Sequence, residues 1–383
     1  MEFDLSHDQQ ALTRATVEFA RERLSGLAGE GETTGPSLRE AWRLCGEQGI
    51  LGLVVPEEYG GLGLGALDSA LAMEALGYGC PDMGFVFSVA AHVYACVVPV
   101  VAFGEGDQKR KFLPGMVSGE LVATHCVTEP GAGSDAYAMK TRAERGEGGY
   151  ALRGSKCFSS NAPVADLFLV HAVTDPAAGF LGLSAFLLEK GTPGLSVSKP
   201  YHKLGLSTAP LGDVFLEDCP VRAANRLGRE GQGGAIFTHS MNWERACLFA
   251  AYLGAMARQL EETIRFAKER RQFGKPIKDF QAVSHRIADM KVRLEAARLL
   301  VYHAAWRLDR VSDGRPSIDS SIAKLFVSES AVESGLDAIQ IHGGFGIMAE
   351  GGVERALRDA VPGRIFSGTS EIQKNTIARL LGL

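Results

Sequence analysis

The residues best equipped for chemistry fall in five short segments. In THCVTEPGAGSDA, Thr124 to Ala136, a strand-like run stops at Glu129-Pro130 and is followed by Gly-Ala-Gly and then Ser134-Asp135. A proline stop followed by glycines able to adopt positive φ can aim backbone N–H groups and a serine hydroxyl at a planar, oxygen-rich ligand. The same spacing also makes a tight turn with no ligand. In GSKCFSSN, Phe158, Ser159 and Ser160 set an aromatic ring beside two hydroxyls, a combination that can cover a ring system and hydrogen-bond its edge. ERRQFGKPIKDFQ, Glu269 to Gln281, carries Arg270 and Arg271 at a helix end. Their guanidinium forks suit a diphosphate and equally complement the helix dipole. IQIHGG places Gly343 and Gly344 directly after a helical pattern, where backbone can approach a flat group. IFSGTSEIQ sets Ser367, Gly368 and Thr369 before a last helix, whose N-terminus can receive an anionic or carbonyl oxygen.

Other chemistries have little support. His285 and Asp289 lie four apart on a helical pattern without a third metal ligand, and read as a hydrogen-bonded helix face. His202 and Lys203 read as exposed residues of a strand connection. The seven cysteines never fall in a CxxC spacing and read as reduced cytoplasmic thiols. GLGLGALD, Gly61 to Asp68, has dinucleotide-motif spacing but lies among helical patterns, so its glycines read as loop formers. No metal site is expected.

The elements that hold these segments fall into three zones. Residues 1–118 repeat apolar positions at three and four, as in LDSALAMEAL, and are expected to be α-helical. Residues 119–229 shorten toward period two, with ADLFLVHAV, LSAFLLEK and GDVFLED bounded by turn residues, and are expected to form a small antiparallel barrel or sandwich. Residues 230–383 return to long helical runs, Trp243 to Arg270, Phe280 to Ser312 and Ile318 to Ile341, which with a fourth helix predict a bundle. The chain of 383 residues is 46% hydrophobic and 22% charged, which excludes disorder and low complexity. Its net charge of −5 gives no chain-wide basic field for nucleic acid or an anionic membrane. Met83 to Gly104 carries no Asp, Glu, Lys or Arg, yet His92, Pro99 and the absence of basic flanks favour a buried helix broken at the proline.

Taken in series, TEPGAGSD, ERRQFGKP, QIHGG and SGTSEIQ resemble the acyl-CoA dehydrogenase family along essentially the whole chain. The resemblance implies an α+β fold with an N-terminal helical domain, a middle β domain and a C-terminal four-helix bundle. It implies FAD between the last two domains and across a subunit interface. By position, His125, Val127, Thr128 and Ser134 would face the flavin or acyl group, and Phe158, Ser159 and Ser160 would flank the isoalloxazine. From a neighbouring subunit Arg270, Phe273, Gln281 and Gln340 to Gly344 would hold the diphosphate and adenosine. Thr369 and Glu371 would bind FAD from the last helix cap, and the assembly would be a homo-oligomer, a dimer or tetramer.

The departure from the family is Ser367, where most members carry the catalytic glutamate directly before Gly-Thr. A serine hydroxyl is no base near neutral pH. Some branches place the glutamate on the first bundle helix in a Glu-Arg pair, and SMNWERACLFAAYLG offers Glu244 and Arg245. The ordinary reading of Glu244 is a surface salt bridge, but the apolar run Ala246 to Leu253 makes an inward carboxylate the better one. Ser367 would keep only its backbone amide for a thioester oxygen, with Arg245, Gly368 and Ser134 also toward the substrate. Within the family, the chain looks most like the dehydrogenases that oxidise L-prolyl groups tethered through phosphopantetheine to a peptidyl carrier protein in pyrrole-forming pathways. The alternatives are a short or branched acyl-CoA as substrate, or a non-catalytic flavoprotein subunit.

Overall fold

The computed structural model describes residues 4–24, 26, 36–311 and 315–383. The first zone is helical. His7–Phe19 begins at a capping box, Ser6 with Gln9, and packs on Ala66–Gly79. The long apolar helix follows, from Met83 to Phe103, begun by Asp82, whose carboxylate accepts from Phe85 N–H. The proline does not break it. Its middle turn, His92–Val97, is wound as a π-helix in which Val98 N–H donates to Val93 O. That wider turn accommodates Pro99, which has no N–H and would clash with the carbonyl four residues back. This helix is long and apolar enough to cross a membrane, but 83% of its most apolar window is buried inside the protein. It is a core helix.

The middle zone holds β1 (Ala123–Cys126), β2 (Arg142–Gly146), β3 (Gly149–Ser160), β4 (Leu167–Val173), β5 (Leu183–Glu189), β6 (Leu195–Val197), β7 (Leu211–Arg222) and β8 (Arg226–Leu227). They form one eight-stranded sheet in the order β6-β7-β3-β2-β4-β5-β8, with β1 added to β4. Most pairings are antiparallel, but β1 and β2 run parallel to β4, which a reading of local period could not detect. β4 is buried on both faces. Leu167 and Leu169 meet the helical residues Val97 and Phe112, whereas Phe168 and Val170 meet Phe186 and Val214 of the sheet. This explains why its sequence is a continuous apolar run.

The last zone is the bundle. Gly233–Trp243 leads into a π turn at Glu244–Leu248, and then Ala250–Glu269, Gln281–Leu308, Ile318–His342 and Ser370–Leu380 follow. The single helix expected from Trp243 to Arg270 is thus interrupted at the glutamate of interest. Gly77 and Gly254 let Ala66–Gly79 cross Ala250–Glu269 closely, since a Cβ on either would fall about 2 Å from a backbone carbonyl of the other helix. This joins the first and last zones into one core around Leu76, Ala251 and Leu253.

Candidate active site

A cavity of about 880 Å³ lies where the three zones meet, within the size range of small-molecule sites. The apolar helix contributes Phe87, Ala91 and Ala95, the sheet contributes His125, Phe158 and Ser160, and the segment after β1 contributes Val127, Thr128 and Ser134. Met241, Glu244 and Arg245 come from the bundle, and Ser367, Gly368 and Thr369 from the loop before the last helix.

Glu244 sits in the π turn and is buried, 7% exposed. Its Oε2 accepts from the Ser367 hydroxyl at 2.6 Å, while its Oε1 has no hydrogen-bond partner. Burial pushes its carboxyl up to about 7, a rise that the Ser367 hydroxyl and the Arg245 cation only partly oppose. Arg245 does not turn to Glu244 as a hydrogen-bond partner. Its Nε donates to the Ser367 carbonyl at 3.0 Å, and Gln373 Nε2 donates to the same carbonyl at 3.1 Å and to Gly368 O at 2.9 Å. Together they hold a loop in which Ser367 has φ 53° and Gly368 φ 90°, left-handed values that cost a serine and suit a glycine. Thr369 caps the final helix by accepting from Ile372 N–H.

The Thr128 to Asp135 turn is built differently from the sequence expectation. Neither Gly131 nor Gly133 has positive φ. A Cβ on either would meet nothing within 4 Å, so neither glycine bends the chain, and Gly133 leaves space open on the cavity wall. The turn is closed by backbone hydrogen bonds between Glu129 and Ala132. It is anchored beneath by an ion pair that sequence reasoning missed. Lys156, fully buried, reaches Glu129 Oε1 at 2.8 Å and Val127 O at 3.1 Å. Glu129 also accepts from the N–H groups of Lys140 and Thr141.

Phe158 stands 62% exposed at φ 54°, with Ser160 beside it on the cavity wall. Ser159 faces the other way, buried near Cys126, as strand alternation requires. Lys203 corrects the exposed reading. It is half-buried on the cavity wall, its Nζ donating to Ala209 O. His285 and Asp289 are exposed, and the described residues contain no cluster able to hold a metal. All seven cysteines are buried and unpaired.

Arg270, Phe273, Gln281, Gln340, Gly343 and Gly344 are not on this cavity. They are exposed at one end of the bundle, where Phe266 stacks on His342 at 4.2 Å between ring centroids and brings the two segments together. Phe273 is 91% exposed on a hairpin tip. Glu371 is likewise exposed and off the cavity. The residues present fit a flavin: open space over Gly133, hydroxyls at Thr128, Ser134 and Thr369, and the largely exposed aromatic ring of Phe158.

Fold and site define a flavin-type acyl dehydrogenase, and the chain belongs to the acyl-CoA dehydrogenase family. Models of that family's N-terminal, middle and C-terminal domains match residues 6–120, 124–219 and 231–382. The L-prolyl-[peptidyl-carrier protein] dehydrogenase of Pseudomonas fluorescens is 48% identical, over 100% of both chains. Among solved structures, the FAD complex of PigA superposes with a TM-score of 0.95 at 46% identity over 100% of both chains. The prolyl acyl carrier protein oxidase AnaB does so with a TM-score of 0.94 at 42% identity, over 99% of this chain and 100% of that one.

Proposed function

We propose that this protein is an FAD-dependent dehydrogenase that oxidises an L-prolyl thioester, carried by the phosphopantetheine of a peptidyl carrier protein, toward the pyrrolyl-2-carboxyl thioester. The observation that carries the reading is Glu244, a buried carboxyl on the cavity wall with one oxygen free, at the height of the loop where Ser367 stands in place of the usual glutamate. The 48% identical relative of that name, the prolyl acyl carrier protein oxidase AnaB and the structure of PigA with FAD and proline support the prolyl substrate over a simple acyl-CoA.

When bound, FAD supplies the two-electron acceptor for hydride from the carbon next to the α carbon. The chain supplies the rest. Glu244, ionised above about pH 7, takes the α proton on Oε1 while the Ser367 hydroxyl keeps Oε2 in place. The Ser367 N–H, which has no acceptor among the described residues, is available to the thioester oxygen. Arg245 and Gln373 fix that amide by holding the carbonyl of the same residue. The apolar wall of Phe87, Ala91, Ala95 and Met241 excludes water.

The flavin contacts assigned to Thr128, Ser134, Phe158, Ser160 and Thr369 belong to this proposal. So do those of Arg270, Phe273, Gln281, Gln340, Gly343 and Gly344 to a neighbouring subunit's FAD, in a cytoplasmic homotetramer. The domain limits at 118/119 and 229/230 are proposed with them. Anaerobic mixing of holoenzyme with prolyl-loaded carrier should bleach the flavin within the mixing experiment, and short or branched acyl-CoA thioesters should not. Bleaching by an acyl-CoA alone would replace the prolyl reading with the simpler one.

A further inference from the structure

Two histidines stand behind the proposed base. His125 on β1 and His171 on β4 lie on the same sheet face of parallel neighbours, and their Nε2 atoms are 2.9 Å apart. His125 Nδ1 is 3.9 Å from Glu244 Oε1, the oxygen without a partner. Phe237 packs against both rings, with centroids at 6.2 and 6.0 Å. Burial together with the Lys156 cation keeps both imidazoles neutral, His125 down to about 3 and His171 well below its ordinary value.

Between two neutral imidazoles in Nε2 to Nε2 contact there is room for one proton, so the tautomer of one ring dictates that of the other. With the proton on His171, Nε2 of His125 accepts and the His125 proton sits on Nδ1, facing Glu244. The opposite setting puts the second proton on His171 Nδ1, toward the Gly233 backbone, but turns a bare nitrogen of His125 toward Glu244. Once Glu244 is ionised the first setting is favoured, because only it offers the carboxylate a donor.

We propose that His171 acts through His125 as a positioning pair for Glu244: His171 Nε2–H donates to His125 Nε2, and His125 Nδ1–H donates to Glu244 Oε1 when that carboxyl is ionised. A small rotation of the Glu244 side chain closes the remaining gap of about 1 Å to hydrogen-bond distance. The pair favours the ionised base without any charge of its own, as a second layer of hydrogen bonds orients a metal ligand. The other groups facing this cluster are the Ser367 hydroxyl and Arg245 at Glu244, the Cys96 thiol from the apolar helix, the Cys126 thiol on β1, and Lys156 with Glu129 behind the histidines. Lys324, against Arg245 on the far side, is brought down to about 7 by burial and by the Arg245 cation, so the infrared band lost in Glu244→Gln, and not the midpoint alone, assigns the titration to the carboxyl.

The inference rests on Glu244 as the base, and its test is arranged to stand apart from the choice of substrate. His171→Leu removes the donor, and His171→Gln returns one in the amide. In the holoenzyme the leucine variant should move the pH midpoint of flavin reduction up by about one unit, a tenfold change in proton affinity, and the glutamine variant should restore it. The infrared band of the protonated carboxyl, identified by its loss in Glu244→Gln, should titrate with the same displacement without any substrate. His125→Phe must shift it in the same direction, which keeps the test sound if the leucine variant folds poorly. A midpoint unchanged across all the variants, whether or not their melting temperatures fall, overturns the proposal. Failure of prolyl-carrier to bleach wild-type flavin overturns the substrate reading alone, since the carboxyl band still decides the role of the pair.

Discussion

Replacing Glu244 with glutamine separates a buried base from a structural salt bridge, because the two accounts predict opposite changes in both rate and stability. The side chain is buried and its carboxyl is raised from an ordinary 4.5 to about 7. An acid whose pKa is higher in the folded state stabilises the fold relative to its ionised form at low pH, and that contribution is lost as pH climbs from 4.5 through 7. At about 1.4 kcal/mol per pH unit, the ionised form costs the fold about 3 kcal/mol above pH 7. Glutamine is neutral at every pH and its carbonyl can still accept from the Ser367 hydroxyl. Glu244→Gln should therefore melt higher than wild type at about pH 8, by the equivalent of about 1–3 kcal/mol, with the difference vanishing below the ordinary carboxyl pKa. The same variant cannot take a proton, so flavin reduction by prolyl-carrier should fall about two to four orders of magnitude while FAD stays bound. Stopped-flow absorbance at the flavin band and melting curves at the two pH values read both effects. Near-normal bleaching, or a melting temperature lowered at both pH values, would refute the reasoning.

Ser367→Ala removes the hydrogen bond to the ionised carboxylate, which raises the Glu244 midpoint by about one pH unit. Flavin reduction should then fall about fivefold near pH 7 and recover at higher pH, read from a pH series. Gly133→Val places a side chain in open space at an ordinary φ, so melting of the apo-protein should be unchanged while FAD affinity drops, measured by flavin titration. Phe273→Asp, at a residue 91% exposed in the single chain, should leave the fold intact but lower both the sedimentation mass and the flavin content, as expected if that ring lies in a subunit interface.

Much of this site could be read along the chain because its parts are local signals. The turn after β1, the aromatic-serine end of β3 and the Ser-Gly-Thr cap each announce themselves within a dozen residues, and all border the cavity. The apolar surroundings that mark Glu244 as inward are also local. What escaped depends on contacts between distant segments. The sequence around Ser367 points only to its amide, whereas its hydroxyl meets a carboxylate 123 positions away. The local pattern makes Lys203 an exposed residue, yet the fold turns it into the cavity. The pairing of His125 with His171 follows from a parallel register that no hairpin pattern predicts. Both π turns, at His92–Val97 and Glu244–Leu248, lie inside runs whose composition is plainly helical, so periodicity alone passes over them. The glycines of the Thr128 to Asp135 turn show the converse, since neither bends the chain and Gly133 leaves room on the cavity wall.

Whether this chain draws hydrogen from a carrier-bound prolyl group is decided by mass spectrometry of the phosphopantetheine arm after prolyl-loaded carrier is incubated with holoenzyme in air. The arm should lose two hydrogens and then two more, ending at the pyrrolyl thioester, with no change in the presence of Glu244→Gln enzyme. A prolyl arm recovered at its starting mass, while a short acyl-CoA offered to the same enzyme is dehydrogenated, would contradict the prolyl reading.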